Sequence, residues 1–117
     1  MKSICIMRDV LKGIGQFEHS FESTYHISLN EAIVLCTLQE SPKAMTSTHL
    51  SKQTELSPSH TSKILRILEE KELIKRMLSE EDKRLMFFRL TDAGRKRVQE
   101  LNLEKVEMPK FLQSLME

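Results

Sequence analysis

Met7, Val10, Leu11, Ile14, Phe17 and Phe21 recur at three- and four-residue spacing, so they fall on one stripe of a helix from about Ile4 to Phe21. Gly13 and Gly15 interrupt that helix and weaken it, by about 1 kcal/mol each relative to alanine where exposed. It therefore needs tertiary or intersubunit packing to persist. A different pattern follows. Ser28-Leu29-Asn30-Glu31 is a capping box, in which the serine hydroxyl and the glutamate side chain satisfy free N–H groups at a helix start. The next seven residues, Ala32 to Leu38, are apolar nearly all round, which predicts a central buried helix ended by Ser41-Pro42, with Cys36 in the core.

Two short helices come next. The first covers Met45 to Thr54 with Thr46 as its cap, and Glu55-Leu56 makes a tight turn. Ser57-Pro58 opens the second, an N-cap followed by proline at the first helical position, and its core stripe is Thr61, Ile64, Leu65 and Leu68. Two helices joined so briefly form a helix-turn-helix. Leu73 to Leu78 and Leu85 to Leu90 are β-prone runs flanking the polar Ser79 to Arg84, an antiparallel hairpin with a charged tip. Thr91 caps a helix from Asp92 to about Leu103 or a little beyond. Pro109 starts a final short helix with Met108, Phe111, Leu112 and Leu115 on its apolar stripe. The expected class is mainly α with a small β-hairpin, a winged helix-turn-helix. One domain is expected, with a dimerisation helix at 1–27, a DNA-binding region at 28–91 and C-terminal helices with dimer contacts at 92–117.

Composition adds little to this until charge is mapped along the chain. At 117 residues there is room for one core. Three glycines, three prolines and no tryptophan argue against a turn-rich all-β design. From Lys43 to Arg97 there are 13 Lys and Arg against 8 Asp and Glu, whereas the flanks together hold 5 basic and 9 acidic residues. A basic centre suits a polyanionic partner, and the helix-turn-helix and hairpin lie inside it. The apolar run near the N-terminus is broken by charge too early for a signal peptide, and no uncharged stretch reaches the roughly 20 residues that cross a bilayer. A cytoplasmic location without a membrane partner is expected.

The second helix of the motif turns Ser59, Lys63 and Arg66 away from its core stripe, with His60 and Ser62 beside them and Ser57 at its start. An apolar back and a short polar and basic front are what a helix needs to lie in a DNA groove. Leu50-Ser51, Leu56-Ser57, Ile64-Leu65, Leu68-Glu69-Glu70-Lys71, Leu73-Ile74, Glu81-Asp82-Lys83-Arg84 and Leu90-Thr91-Asp92-Ala93-Gly94 together resemble the MarR family of transcription regulators. The Asp-x-Arg of the wing followed by Leu-Thr-x-x-Gly is the most specific part.

The resemblance implies a homodimer on double-stranded DNA, with recognition helices in successive major grooves and wings at the flanking minor grooves. Carried over by position, Ser59, His60, Ser62, Lys63 and Arg66 contact bases and phosphates, Arg84 is the wing contact oriented by Asp82, and Lys83 adds a phosphate contact. Repressor is the working label, with activation left open. The chain departs from the pattern in three places. Glu55 and Glu72 stand where the family usually has glycine, which suggests remodelled turns. The sequence also ends at Glu117 where the family normally continues through a longer helical pair, which shifts dimerisation onto the first helix and onto Phe111, Leu112 and Leu115.

Cys5 precedes Ser28-Leu29 at a distance that resembles the sensing cysteine of the hydroperoxide-responsive branch, which makes thiol-based redox sensing through Cys5 an alternative to a packed or terminal free thiol. The tyrosines expected beside such a cysteine are missing, since Tyr25 is alone. His19, His26, His49 and His60 offer no i, i+4 pair, so no metal is expected. No glycine-rich phosphate loop or GxSxG is present, so neither enzyme activity nor a cofactor is expected. The seven methionines leave room for a small-molecule effector. The remaining alternative is a winged helix used for protein–protein contact, its basic face docking an acidic partner.

Overall fold

The computed structural model describes residues 2–116; residues 1 and 117, the outer limits of the expected terminal segments, lie outside the described residues. The elements run α1 (Ser3–Tyr25), α2 (Leu29–Glu40), β1 (Met45–Thr46), α3 (Ser47–Thr54), α4 (Pro58–Glu70), β2 (Ile74–Leu78), β3 (Met86–Leu90), α5 (Asp92–Glu100), a 3₁₀ turn (Leu103–Lys105) and α6 (Lys110–Met116). They group into two compact units. One is made from the two ends of the chain, up to Leu29 and from Asn102 onward, and the other is Asn30–Leu101.

In the terminal unit α1 runs four residues past the expected end. His26 adopts a left-handed conformation (φ 61°) and its N–H returns to the Glu22 carbonyl at 2.8 Å, which closes one more turn. Tyr25 extends the aromatic row by one further i, i+4 step, with ring centroids 6.3 Å apart from Phe17 to Phe21 and 5.1 Å from Phe21 to Tyr25. Tyr25 also fixes the other end of the chain: its hydroxyl donates to the Asn102 carbonyl and accepts from the Asn102 N–H, both at 2.7 Å. Asn102 is thereby held extended (φ −143°), and its own side chain caps the 3₁₀ turn by accepting from the Glu104 N–H at 2.9 Å. This is why α5 stops at Glu100 rather than near Leu103. Gly13, a weak point in the sequence pattern, is buried beneath Phe111, whose ring would lie 2.7 Å from a Cβ there. Ile4 at the start of the helix and Met7 and Leu11 of the stripe remain exposed.

The second unit carries the winged helix-turn-helix. α2 supplies Val34, Leu35 and Leu38 to its core, to which α3 adds Leu50 and α4 adds Ile64, Leu65 and Leu68. Cys36 is half-buried rather than in the core. Burial still pushes its thiol pKa above the ordinary value, with the nearby Glu40 charge adding to the effect. Glu31 of α2 is buried and its carboxylate accepts from Lys71 Nζ at 3.1 Å, tying the start of α2 to the end of α4. The hairpin is as expected except that Leu73 and Leu85 fall outside the strands. The sheet, however, has three strands in the order β1-β3-β2, all antiparallel, with Met45 opposite Phe88 and Thr46 opposite Phe87. A two-residue strand has no periodicity to detect, so the residues before α3 are visible in the sequence only as a helix cap.

Candidate nucleic-acid interface

Each end of the helix-turn-helix is set by local hydrogen bonds. The Thr46 hydroxyl caps α3 by accepting from the His49 N–H at 3.1 Å, and Ser57 caps α4 in the same way through the His60 N–H at 3.1 Å. Between them the Ser51 hydroxyl donates to the Leu56 carbonyl at 2.6 Å, fixing the turn. Glu55 sits there with φ 61°. α4 ends in a Schellman motif, with the Leu73 N–H on the Leu68 carbonyl at 3.0 Å, the Glu72 N–H on the Glu69 carbonyl at 2.9 Å, and Glu72 left-handed at φ 61°. The turns are therefore not remodelled. Two glutamates hold the conformation that glycine usually supplies.

These constraints fix the orientation of α4. Thr61, Ile64, Leu65 and Leu68 are buried on its back, while Ser59, His60, Ser62, Lys63 and Arg66 are all exposed. Ser59, Ser62, Lys63 and Arg66 stand at i, i+3, i+4 and i+7, one continuous front. Ser57 is exposed at the helix start, where its oxygen is already engaged as the cap. The Thr61 hydroxyl is buried without a hydrogen-bond partner.

At the wing tip, Ser79 and Leu85 close the hairpin through a 3.1 Å backbone bond, and the Ser79 hydroxyl accepts from the Asp82 N–H at 3.1 Å. The Asp82 carboxylate in turn accepts from the Arg84 backbone N–H at 3.0 Å, from Arg84 Nε at 3.1 Å and from Arg84 Nη2 at 3.3 Å. The side-chain hydrogen bond from Arg84, and then the backbone one, hold the Asp82 pKa below the ordinary carboxylate value. Arg84 is aimed by this bracket and its side chain is still 90% exposed. Lys83 is exposed beside it. Thr91 joins the wing to α5: its hydroxyl accepts from the Gly94 N–H at 3.0 Å and donates to the Glu72 carbonyl at 2.7 Å. A Cβ at Gly94 would land on the Leu73 carbonyl oxygen, so the Leu-Thr-x-x-Gly pattern marks a close backbone approach between α5 and the wing base.

Sequence reasoning missed two features of the winged unit. Arg76 donates from Nη2 to Glu69 of α4 at 2.7 Å and lies over the Phe88 ring at 5.6 Å, a tie between β2 and α4 with no local spacing signal. Lys75 and Arg89 lie directly opposite each other across β2 and β3, both exposed, and only the register reveals the pair. Like charges so placed destabilise a hairpin in isolation. Cys5 is half-buried in the first turns of α1, and among the described residues no three His, Cys, Asp or Glu side chains come together to hold a metal. No described helix is long and apolar enough to cross a membrane.

Helix-turn-helix, wing and capped α5 define a winged helix-turn-helix protein. The MarR family model matches residues 27–86, just over half of the sequence, and the chain belongs to the MarR family. It is 38% identical over 82 residues to the HTH-type transcriptional regulator YpoP of Bacillus subtilis, a match covering 69% of this chain and 57% of YpoP. The chain thus spans little more than half the length of that relative. Among solved structures, it superimposes on AbsC, a MarR family transcriptional regulator from Streptomyces coelicolor, with a TM-score of 0.74 at 22% identity, covering 98% of this chain and 88% of AbsC. A mutant MarR from Escherichia coli complexed with operator DNA matches with a TM-score of 0.73 at 20% identity, over 95% of this chain and 76% of that one. These two likenesses are of fold.

Proposed function

We propose that this protein is a homodimeric, sequence-specific double-stranded DNA-binding transcription regulator, with α4 in the major groove and the Arg84 wing at the flanking minor groove. The observation that carries the reading is the division of α4 into a fully buried back and a fully exposed front, with a locked and exposed arginine on the adjoining wing. Ser59, Ser62, Lys63 and Arg66 supply donors of the kind that reach base edges and phosphates. His60, Ser57 and Lys83 lie at the margins as phosphate contacts. Arg84 gains at a narrow minor groove from the enhanced negative potential there, and the sequence-dependent width of that groove gives the wing its share of specificity.

The second copy is argued from Ile4, Met7 and Leu11, which one chain leaves exposed along α1, and from Leu115 and Met116 at the end of α6. Repression by occupancy of an operator is the simplest outcome of such binding. The test is duplex binding by Arg66→Ala, measured on a selected operator and on unrelated duplex. A base contact costs about 1–3 kcal/mol on the operator and relaxes discrimination at one position per half-site. Equal loss on both duplexes makes Arg66 a phosphate contact only, and no duplex binding by the wild-type dimer overturns the reading.

A further inference from the structure

Among the described residues of the winged unit, Ile33, Leu78 and Leu85 are the large apolar side chains left exposed, and two of these three flank the wing tip. Leu78 is 59% exposed and Leu85 44%. We infer that Leu78 and Leu85 pack against the two sugar-lined walls of a narrow minor groove, one leucine to each wall, and so read groove width beside Arg84. The inference rests on the DNA-binding reading and adds to it a specificity determinant that carries no charge.

Three observations support it. First, the register puts the leucines on opposite faces of the hairpin. Leu78 stands opposite Met86 and two residues along β2 from Arg76, whose guanidinium reaches Glu69, so Leu78 lies on the α4 side. The pairing continues one step into the tip, where the Ser79 N–H donates to the Leu85 carbonyl at 3.1 Å, and Leu85 therefore falls on the other side. Second, Leu85 is held by the residue that aims Arg84. Its N–H donates to the Asp82 carbonyl at 3.0 Å, while the Asp82 carboxylate takes Arg84 Nε at 3.1 Å. A groove that receives Arg84 thus meets Leu85 in the same movement. Third, charge alone is a poor anchor for this tip. From Ser79 to Leu85 it carries Glu80, Glu81 and Asp82 against Lys83 and Arg84, and Asp82 is paired with Arg84. Contact between leucine methyls and deoxyribose carbons needs no net positive charge, and it removes two exposed apolar side chains from water. The minor groove is about 6 Å wide in ordinary duplex and narrower in A-tracts, so only the tip enters and both leucines meet sugar edges together only where the walls are close.

The test is duplex binding by the full chain at several salt concentrations. The probe is a selected operator whose flanking segments under the wing are A-tracts or G·C runs. Leu78→Ser and Leu85→Ser are each expected to weaken binding to the A-tract duplex about five- to tenfold and to narrow its advantage over the G·C duplex. The slope of log affinity against log salt is expected to stay that of the wild type, because no cation is lost. Leu85→Met is expected to keep most of the affinity. Both leucines are exposed, so an amide spectrum of a folded chain is expected for every variant. Wild-type affinity and flank preference in both serine variants overturn the inference while leaving the DNA reading in place. Loss accompanied by a flatter slope also overturns it, since the leucines would then act by positioning Arg84. Equal loss on an operator cut short of the wing segments overturns it too, because the leucines would then act away from the groove. No duplex binding by the wild type overturns the DNA reading and this inference together.

Discussion

Asp82 and Arg84 form a closed bracket at the wing tip, in which one carboxylate oxygen takes both the Arg84 backbone N–H and Nε and the other takes Nη2. The same carboxylate thus shapes the turn and aims the side chain. An exposed ion pair of this kind adds little to stability, because water screens it and two side chains must be ordered to form it. Its effect lies in direction: Arg84 points outward with its rotamer freedom already reduced, so less ordering remains to be done when a groove is met.

The bracket sets a pH dependence. Arg84 holds the Asp82 pKa below its ordinary value of 3.8, so the carboxylate is charged throughout the neutral and mildly acidic range. A lowered folded-state pKa gives a contribution present above the unfolded value and lost only as pH falls through the folded one. The Arg84 Nε–H resonance is expected to keep its shift from pH 7 to pH 5 and to change only below 3.8. A change centred above pH 5 would contradict the bracket.

Glu55 and Glu72 both hold φ at 61°, where a side chain costs about 1–2 kcal/mol and glycine costs nothing sterically. Glycine loses more chain entropy on folding, which returns part of the gain. Glu55→Gly and Glu72→Gly are each expected to raise stability by about 0.5–1 kcal/mol in urea unfolding with an unchanged m-value. Destabilisation by either would mean that the glutamate side chain makes a compensating contact.

Gly13 and Gly15 look alike in the sequence and behave differently in the fold. A Cβ at Gly15 meets nothing within 4 Å, so Gly15→Ala is expected to stabilise α1 by about 1 kcal/mol. Gly13→Ala forces the Phe111 ring to move and is expected to destabilise by about 1–3 kcal/mol. Thermal unfolding of the two variants in parallel distinguishes them, and equal shifts would contradict the packing of α6 on α1.

The sequence made the helix-turn-helix legible because its determinants are local. Thr46, Ser57 and Thr91 each cap the helix that follows them, and the Thr61–Leu68 stripe is buried as its spacing requires. The front of α4 was legible for the same reason, as the complement of that stripe. Long-range relations were not. The stop of α5 depends on a tyrosine 77 residues earlier along the chain, β1 exists only through its pairing with β3, and the facing of Lys75 by Arg89 depends on register. Glu55 and Glu72 misled in the opposite direction: a missing glycine suggested altered turns, but surrounding hydrogen bonds impose the left-handed backbone on glutamate.

The central claim, a wing that binds DNA through Arg84, is tested most directly by the salt dependence of duplex affinity for the wild type, Arg84→Ala and Asp82→Ala. Loss of one phosphate-proximal cation removes about one released counterion per subunit, so Arg84→Ala is expected to bind more weakly and to flatten the slope of log affinity against log salt by about 0.9 per subunit. Asp82→Ala leaves the cation in place but unaimed, and is expected to weaken binding less and to leave the slope nearly unchanged. Arg84→Ala with wild-type affinity and slope, in a protein that remains folded and dimeric, would contradict the account.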